Sequence, residues 1–269
     1  MNPLAQELPA SPRAGVVPGR WGSQVGNESS RPRARAARPL DLWVLRVDVG
    51  APGWDIESAA ALLSDPERRR AAQGIPAVQR TRILMRAALR SLLGEILTMD
   101  PAAVPLAAGP GKPRLEGSAS RRGLDASCST SGDIGLVTAV RGGRVGVDVE
   151  RIGGEDLWTA TAEGWLAPEE QAALAKLPVS ERPRAITRAW AQKEAVLKGE
   201  GTGLTGDPAS TVTPVADRGR VRHWWVAPLE VPTSHVASLA IAPGGWGIRL
   251  RSTPTMALRA MSAPLSFSV

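Results

Sequence analysis

The chain has 269 residues, 43% apolar and 22% charged, enough to bury one sizeable core or two small ones. Its net charge of +7 is unevenly spread, since residues 1 to 40 hold six arginines against two glutamates; that tail would suit a nucleic-acid partner, but aromatics at 4% and the lack of tyrosine leave little for base stacking and argue against one. Two histidines, at 223 and 235, and one cysteine, at 128, exclude a zinc cluster, a Ser/His/Asp triad and an internal disulfide, and leave acid/base chemistry to carboxylates and lysines.

Residues 1–38 are rich in Pro, Arg, Ala, Gly and Ser without a sustained apolar period, which predicts a disordered tail rather than a secretory signal. No later run reaches transmembrane length, so no membrane contact is expected, and the lone cysteine fits the cytoplasm. Residues 40–49 predict a strand ended by Gly50-Ala51-Pro52-Gly53. Helices are predicted over 55–63, from Ser64-Asp65-Pro66-Glu67 onward, and over 77–97. The last carries Ile83, Leu84, Ala87, Ala88, Leu92 and Ile96 at core spacing, and Arg80, Arg82, Arg86 and Arg90 elsewhere, as a solvated face or as anion ligands.

Pro110-Gly111-Lys112-Pro113 is a tight loop presenting one lysine. Residues 132–140 and 144–150 then predict two strands joined at Arg141-Gly142-Gly143. In the second, Val145, Val147 and Val149 alternate with Gly146, Asp148 and Glu150, so the valines face a core and the carboxylates share the other face, with the bare glycine leaving room beside them. Such a pair suits a hard divalent cation with open positions for water and phosphate; the same acids can instead pair with Arg144 or Arg151. Residues 153–183 read as helical in parts, with Trp158, Trp165, Leu166, Leu174 and Leu177 mostly core.

A helix is predicted over 184–198, with Trp190, Lys193, Glu194, Leu197 and Lys198 on one face and glycines at 199, 201 and 203 ending it. Glu194 and Lys198 stand at i and i+4, as an ordinary helix pair or as a site pair. Strands over 212–215, 221–226, 238–242 and 246–250 are expected to close a second sheet. The resulting divisions are 1–38, 39–143, 144–252, and a peripheral tail over 253–269.

Val145-Gly146-Val147-Asp148-Val149-Glu150, followed some forty residues later by Trp190-x-x-Lys193-Glu194-Ala195-x-x-Lys198-x-x-Gly201-x-Gly203-Leu204, with Gly111-Lys112-Pro113 upstream, resembles the 4'-phosphopantetheinyl transferase superfamily, in particular its surfactin-type, double-domain members. The resemblance spans roughly residues 40 to 250. It implies an α+β fold of two similar lobes related by a pseudo-twofold axis, with the site between them. It also implies a holo-[acyl-carrier-protein] synthase type of transferase that moves phosphopantetheine from coenzyme A to a serine of an acyl or peptidyl carrier protein.

The resemblance further implies Mg2+ on Asp148, Glu150 and Glu194, catalysis by Glu194 and Lys198, and coenzyme contacts from Lys112, Ser127, Ser129, Lys193, Arg80, Arg82 and Arg86. A monomer serving fatty-acid, polyketide or non-ribosomal peptide carriers is expected. Two departures stand out: Cys128 replaces a histidine of the family pattern FNxSHS within Leu124–Ser129, and Trp165-Leu166 replace a phenylalanine pair. They leave open a weak relative that binds coenzyme A or carriers as a scaffold.

Overall fold

The computed structural model describes residues 40–153, 164–203, 208–242 and 248–251. The expected tails, Trp158, Leu204 and Trp246 lie outside the described residues. The fold is α+β, and its elements follow the alternation of apolar positions. Strand β1 (Leu40–Asp48) leads to α1 (Ile56–Ala61), α2 (Asp65–Ala71) and the long α3 (Pro76–Leu97). Then come β2 (Leu124–Ser131), β3 (Ile134–Arg141) and β4 (Arg144–Arg151). Helices α4 (Pro168–Ala175) and α5 (Arg182–Glu200) precede β5 (Gly219–Val221), β6 (Trp224–Pro228), β7 (His235–Ala242) and β8 (Ile248–Leu250).

One four-stranded sheet runs β2-β3-β1-β8 and the other β4-β7-β6-β5, all pairs antiparallel except β1 with β8. The layering follows from strand parity. Leu40, Leu42 and Val44 of β1, with Leu136 and Val140 of β3, meet Val145, Val147 and Val149 of β4 and Leu239 and Ile241 of β7 in one core between the sheets. The opposite parity of β1, Leu45 and Val47, packs with Leu84, Ala88, Leu92 and other residues of α3. Ala240 and Ala242 of β7 meet Ala195 and Val196 of α5 on the outer face of the second sheet. The layers are therefore helix, sheet, sheet, helix.

Three expectations are corrected. Residues 212–215 form no strand, because Thr211 and Thr213 lend their backbones to a buried ion pair rather than to a ladder. Residues 221–226 split at a two-residue turn into β5 and β6. The described part of the last strand, β8, joins the first sheet beside β1 instead of closing the second. With that return crossing and a core shared by both sheets, the divisions 39–143 and 144–252 do not bury separate interiors. Among the described residues no helix is long and apolar enough to cross a membrane.

Candidate active site

Strands β2 and β4 are edges of their sheets, and they run side by side where the sheets meet. The outward N–H groups of an edge strand need acceptors. Side chains of β2 supply them: Val145 N–H donates to Asp125 Oδ2 (2.8 Å), Val147 N–H to Ser127 Oγ (3.2 Å) and Arg151 N–H to Ser131 Oγ (3.0 Å). The partners stay twenty residues apart, so the strands run parallel in register. The same ladder holds the acids, since Ser129 Oγ donates to Asp148 Oδ1 (2.7 Å) and Ser131 Oγ to Glu150 Oε2 (3.1 Å).

Helix α5 brings Glu194 and Lys198 against this edge. It comes close because Gly146 has no side chain: a Cβ there would lie 1.8 Å from Ala195 O. The room expected beside the acids is therefore filled by helix backbone. Helix α5 continues through Gly199 to Glu200 and ends on Gly201 at φ 77°, a left-handed conformation that suits glycine. Lys198 does not pair along its own helix. Its ammonium donates to Asp148 Oδ1 at 2.5 Å and to Ser129 Oγ at 2.9 Å.

Asp148 Oδ2 and Glu194 Oε1 are buried without a hydrogen-bond partner among the described residues. Burial pushes the Glu150 carboxyl up to about 7, with Asp148 adding to the rise and Ser131, Lys198 and Trp190 opposing it. Burial also raises Glu194, the Lys198 charge opposing and Asp148 reinforcing the shift. For Lys198 burial disfavours the ammonium, but Asp148, Glu194 and Glu150 outweigh it and hold its pKa above the ordinary lysine value. Three carboxylates thus share one cation.

Among the described residues no three acidic or imidazole side chains close into a ready metal cage. The donor set nevertheless fits a hard divalent cation: Asp148, Glu150 and Glu194 offer only oxygen, and two of those oxygens lack any other partner.

A cavity of about 540 Å³ opens beside the cluster, between α2 and α3 on one side and α5 on the other. Of the expected residues, Arg82, Arg86, Lys112, Ser127, Glu194 and Lys198 line it, and Arg70, Glu67 and Cys128 join them. Asp148 is buried and reaches the cavity through Lys198. Arg86 pairs with Glu67 and donates to Ala107 O (2.6 Å). Lys112 donates to Asp125 Oδ2 (2.7 Å), Val145 O (2.6 Å) and Gly199 O (3.2 Å), tying its loop to β4 and α5. The Cys128 thiol is pushed up to about 12 by burial, against the charges of Arg86, Lys198 and Lys112, so it is a neutral patch of wall.

Three expected coenzyme contacts lie elsewhere. Arg80 donates to Val49 O and Ala51 O, fixing the end of β1, and is not on the cavity wall. Lys193 is wholly buried against Glu170 at 2.7 Å and also donates to Pro208 O and Thr211 O. Glu170 in turn accepts from Ala167 N–H and from both donors of Thr213. Lys193 is therefore a clamp for the 208–213 segment, pointing away from the face that carries Glu194. Ser129 likewise serves Asp148 and Lys198 rather than the cavity wall.

Sequence reasoning passed over Asp125, Ser131, Glu67, Arg70 and Glu170. The first two carried a signal, an Asp-x-Ser-x-Ser-x-Ser alternation over 125–131 that puts four acceptors on one face of a strand. Glu67 and Glu170 read only as first-turn acids of their helices, and Arg70 had no signal.

A family described as the 4'-phosphopantetheinyl transferase superfamily matches residues 144–237. Among curated proteins the chain is 29% identical over 213 residues to "4'-phosphopantetheinyl transferase HetI" of Nostoc sp. strain PCC 7120, a span covering 77% of this chain and 89% of that relative. It is 30% identical over 174 residues to "Putative 4'-phosphopantetheinyl transferase slr0495" of Synechocystis sp. strain PCC 6803, covering 61% of this chain and 70% of the other. The family match begins at the first residue of β4 and includes both acid-bearing elements.

Proposed function

Because the chain belongs to the 4'-phosphopantetheinyl transferase superfamily, we propose that it transfers phosphopantetheine from coenzyme A to a serine of an acyl or peptidyl carrier protein, with Mg2+ as cofactor. The observation that carries this reading is the cluster of Asp148, Glu150, Glu194 and Lys198, of which Glu194 and Lys198 line the cavity, with two buried carboxylate oxygens that have no hydrogen-bond partner among the described residues. Asp148 and Glu150, with Glu194 completing the oxygen set, would hold magnesium, which would supply positive charge to the pyrophosphate.

The protein's own groups do the rest. Glu194, its pKa raised by burial, takes the proton of the carrier serine on the carboxylate oxygen that a metal would leave open. The serine oxygen attacks the phosphorus that bears the pantetheine arm, and the bond from that phosphorus to the bridging oxygen breaks. The electron pair leaves on 3',5'-ADP, whose charge the Lys198 ammonium meets at the cavity wall. Arg82 and Arg86 bind and orient the phosphates from the opposite wall. Ser129 and Ser131 hold Asp148 and Glu150 in place.

The test is the intact mass of an apo carrier protein incubated with the chain, coenzyme A and magnesium. The wild type is expected to add one phosphopantetheine group. Asp148→Ala is expected to add none, and Glu194→Gln to lower kcat by about 10²- to 10⁴-fold while leaving coenzyme A affinity in place. Coenzyme A binding without transfer to any of several carriers would replace this reading with a binding scaffold.

A further inference from the structure

We propose that Lys112 is a positioning residue: paired with Asp125, it latches the loop over residues 105–116 onto the seam between β4 and α5, and the reaction feels it through the place of a cavity wall rather than through a phosphate. The effect on the reaction rests on the coenzyme A reading above; the latch itself does not. Residues 105–116 turn back on themselves, with Leu106 paired to Leu115 and the base closed by Ala107 N–H to Arg114 O (3.0 Å) and Glu116 N–H to Pro105 O (2.8 Å). Leu106 is buried in the core beneath α3, which anchors that base. The tip is held differently. Residues 108–113 all line the cavity, and none of them joins a hydrophobic core.

Among the described residues, every hydrogen bond from the tip to the rest of the molecule leaves from the Lys112 ammonium. It donates to Asp125 Oδ2 (2.7 Å) on β2, to Val145 O (2.6 Å) on β4 and to Gly199 O (3.2 Å) near the end of α5. An ammonium has three donors, so none is left for a phosphate. The side chain is only 8% exposed, and a cation so buried needs a counter-ion, which Asp125 provides. Burial pulls the Lys112 pKa down, Asp125 opposes the fall, and the charges of Arg144 and Arg114 add to it. Asp125 also accepts Val145 N–H on the same oxygen (2.8 Å), so one carboxylate fixes both the strand edge and the tip.

The tip has little else to hold it. Gly109 and Gly111 flank Pro110 with open space around both, and Gly111 stands at φ 87°. Lifting the tip therefore breaks the Lys112 bonds and little packing, the mark of a segment that opens locally while the core stays closed. The tip shares the cavity with Glu194 and Lys198 of α5 and with Arg82 and Arg86 of α3, so its place sets how much room the coenzyme has. Because Lys112 grips Gly199 O, next in sequence to Lys198, the latch also ties this wall to the helix that carries the reacting groups. Released, the wall lets the coenzyme leave faster, whichever phosphates it bears.

The experiment measures amide hydrogen exchange by mass spectrometry in the wild type, Lys112→Met, Asp125→Asn and the double variant, beside kcat and KM with coenzyme A and with its 3'-dephospho form. Exchange in the 105–116 peptide is expected to quicken about tenfold in either single variant, the loss of one charge-assisted bond, with peptides of α3 and β3 unchanged. The double variant is expected to match the singles, because a partner already alone has nothing more to lose. KM is expected to rise about tenfold and equally for both donors, with kcat within about twofold of the wild type. Unchanged exchange over 105–116, additive effects of the two substitutions, or faster exchange throughout the core in Asp125→Asn as well as Lys112→Met would overturn the latch. A rise in KM confined to the donor with the 3'-phosphate would overturn the positioning role and make Lys112 a phosphate ligand. If the wild type neither binds coenzyme A nor transfers from it, the coenzyme A reading has failed, while the exchange comparison still decides the latch.

Discussion

At the scale of single residues, Lys193 and Glu194 are neighbours in sequence with opposite duties. Successive positions on a helix lie about 100° apart, so Glu194 reaches the cavity while Lys193 is buried against Glu170 with Trp165 nearby. Both members of that pair are fully buried, and removing one leaves an uncompensated charge in the interior. Lys193→Ala is therefore expected to cost about 3–5 kcal/mol in chemical denaturation. A phosphate contact would behave differently, leaving stability intact and raising KM for coenzyme A. Denaturant midpoints beside KM values separate the two, and an unchanged midpoint would remove the clamp assigned here.

At the scale of elements, the site depends on how closely α5 approaches β4. Asp148 and Glu150 ride on the strand and Glu194 and Lys198 on the helix, so their spacing is the spacing of two backbones. Gly146 sets it, because any side chain there meets the carbonyl of Ala195, which cannot turn aside as a flexible side chain would. Gly146→Ala is expected to destabilise the protein by at least about 1–3 kcal/mol and to cut the transfer rate more than the loss of folded protein explains. Thermal melts paired with rates corrected for folded fraction give the answer. Normal specific activity in a destabilised variant would mean that the two elements need not be in register for the chemistry.

At the scale of the whole molecule, the two sheets share a core, and β8 returns across the division near residue 143 to pair with Leu40–Leu42. Arg251 reinforces that return by pairing with Asp41. A chain ending at Ala242 loses the β1–β8 pairing and bares the β1 edge, which at about 1 kcal/mol per hydrogen bond is expected to lower Tm by roughly 5–10 °C. Calorimetry of the full chain is expected to give one transition with equal calorimetric and van't Hoff enthalpies. Two resolved transitions would mean that the two halves fold independently.

What the sequence determined by itself was everything carried by short-range periodicity. The valine alternation over 145–149 buried its valines between the sheets, and the spacing through 190–198 put Glu194 and Lys198 on one side of a helix. The three motifs led to the right superfamily, since each is a local pattern read without knowing its neighbours. Tertiary structure decided which group each charge would meet. Lys198 meets Asp148 fifty residues away, Lys112 meets Asp125 and two carbonyls across the seam, and Lys193 meets Glu170 in a separate core. Pairing of that kind depends on which edges and faces are brought together, and only the packing of the two sheets, closed by a last strand that returns to the first sheet, brings them together.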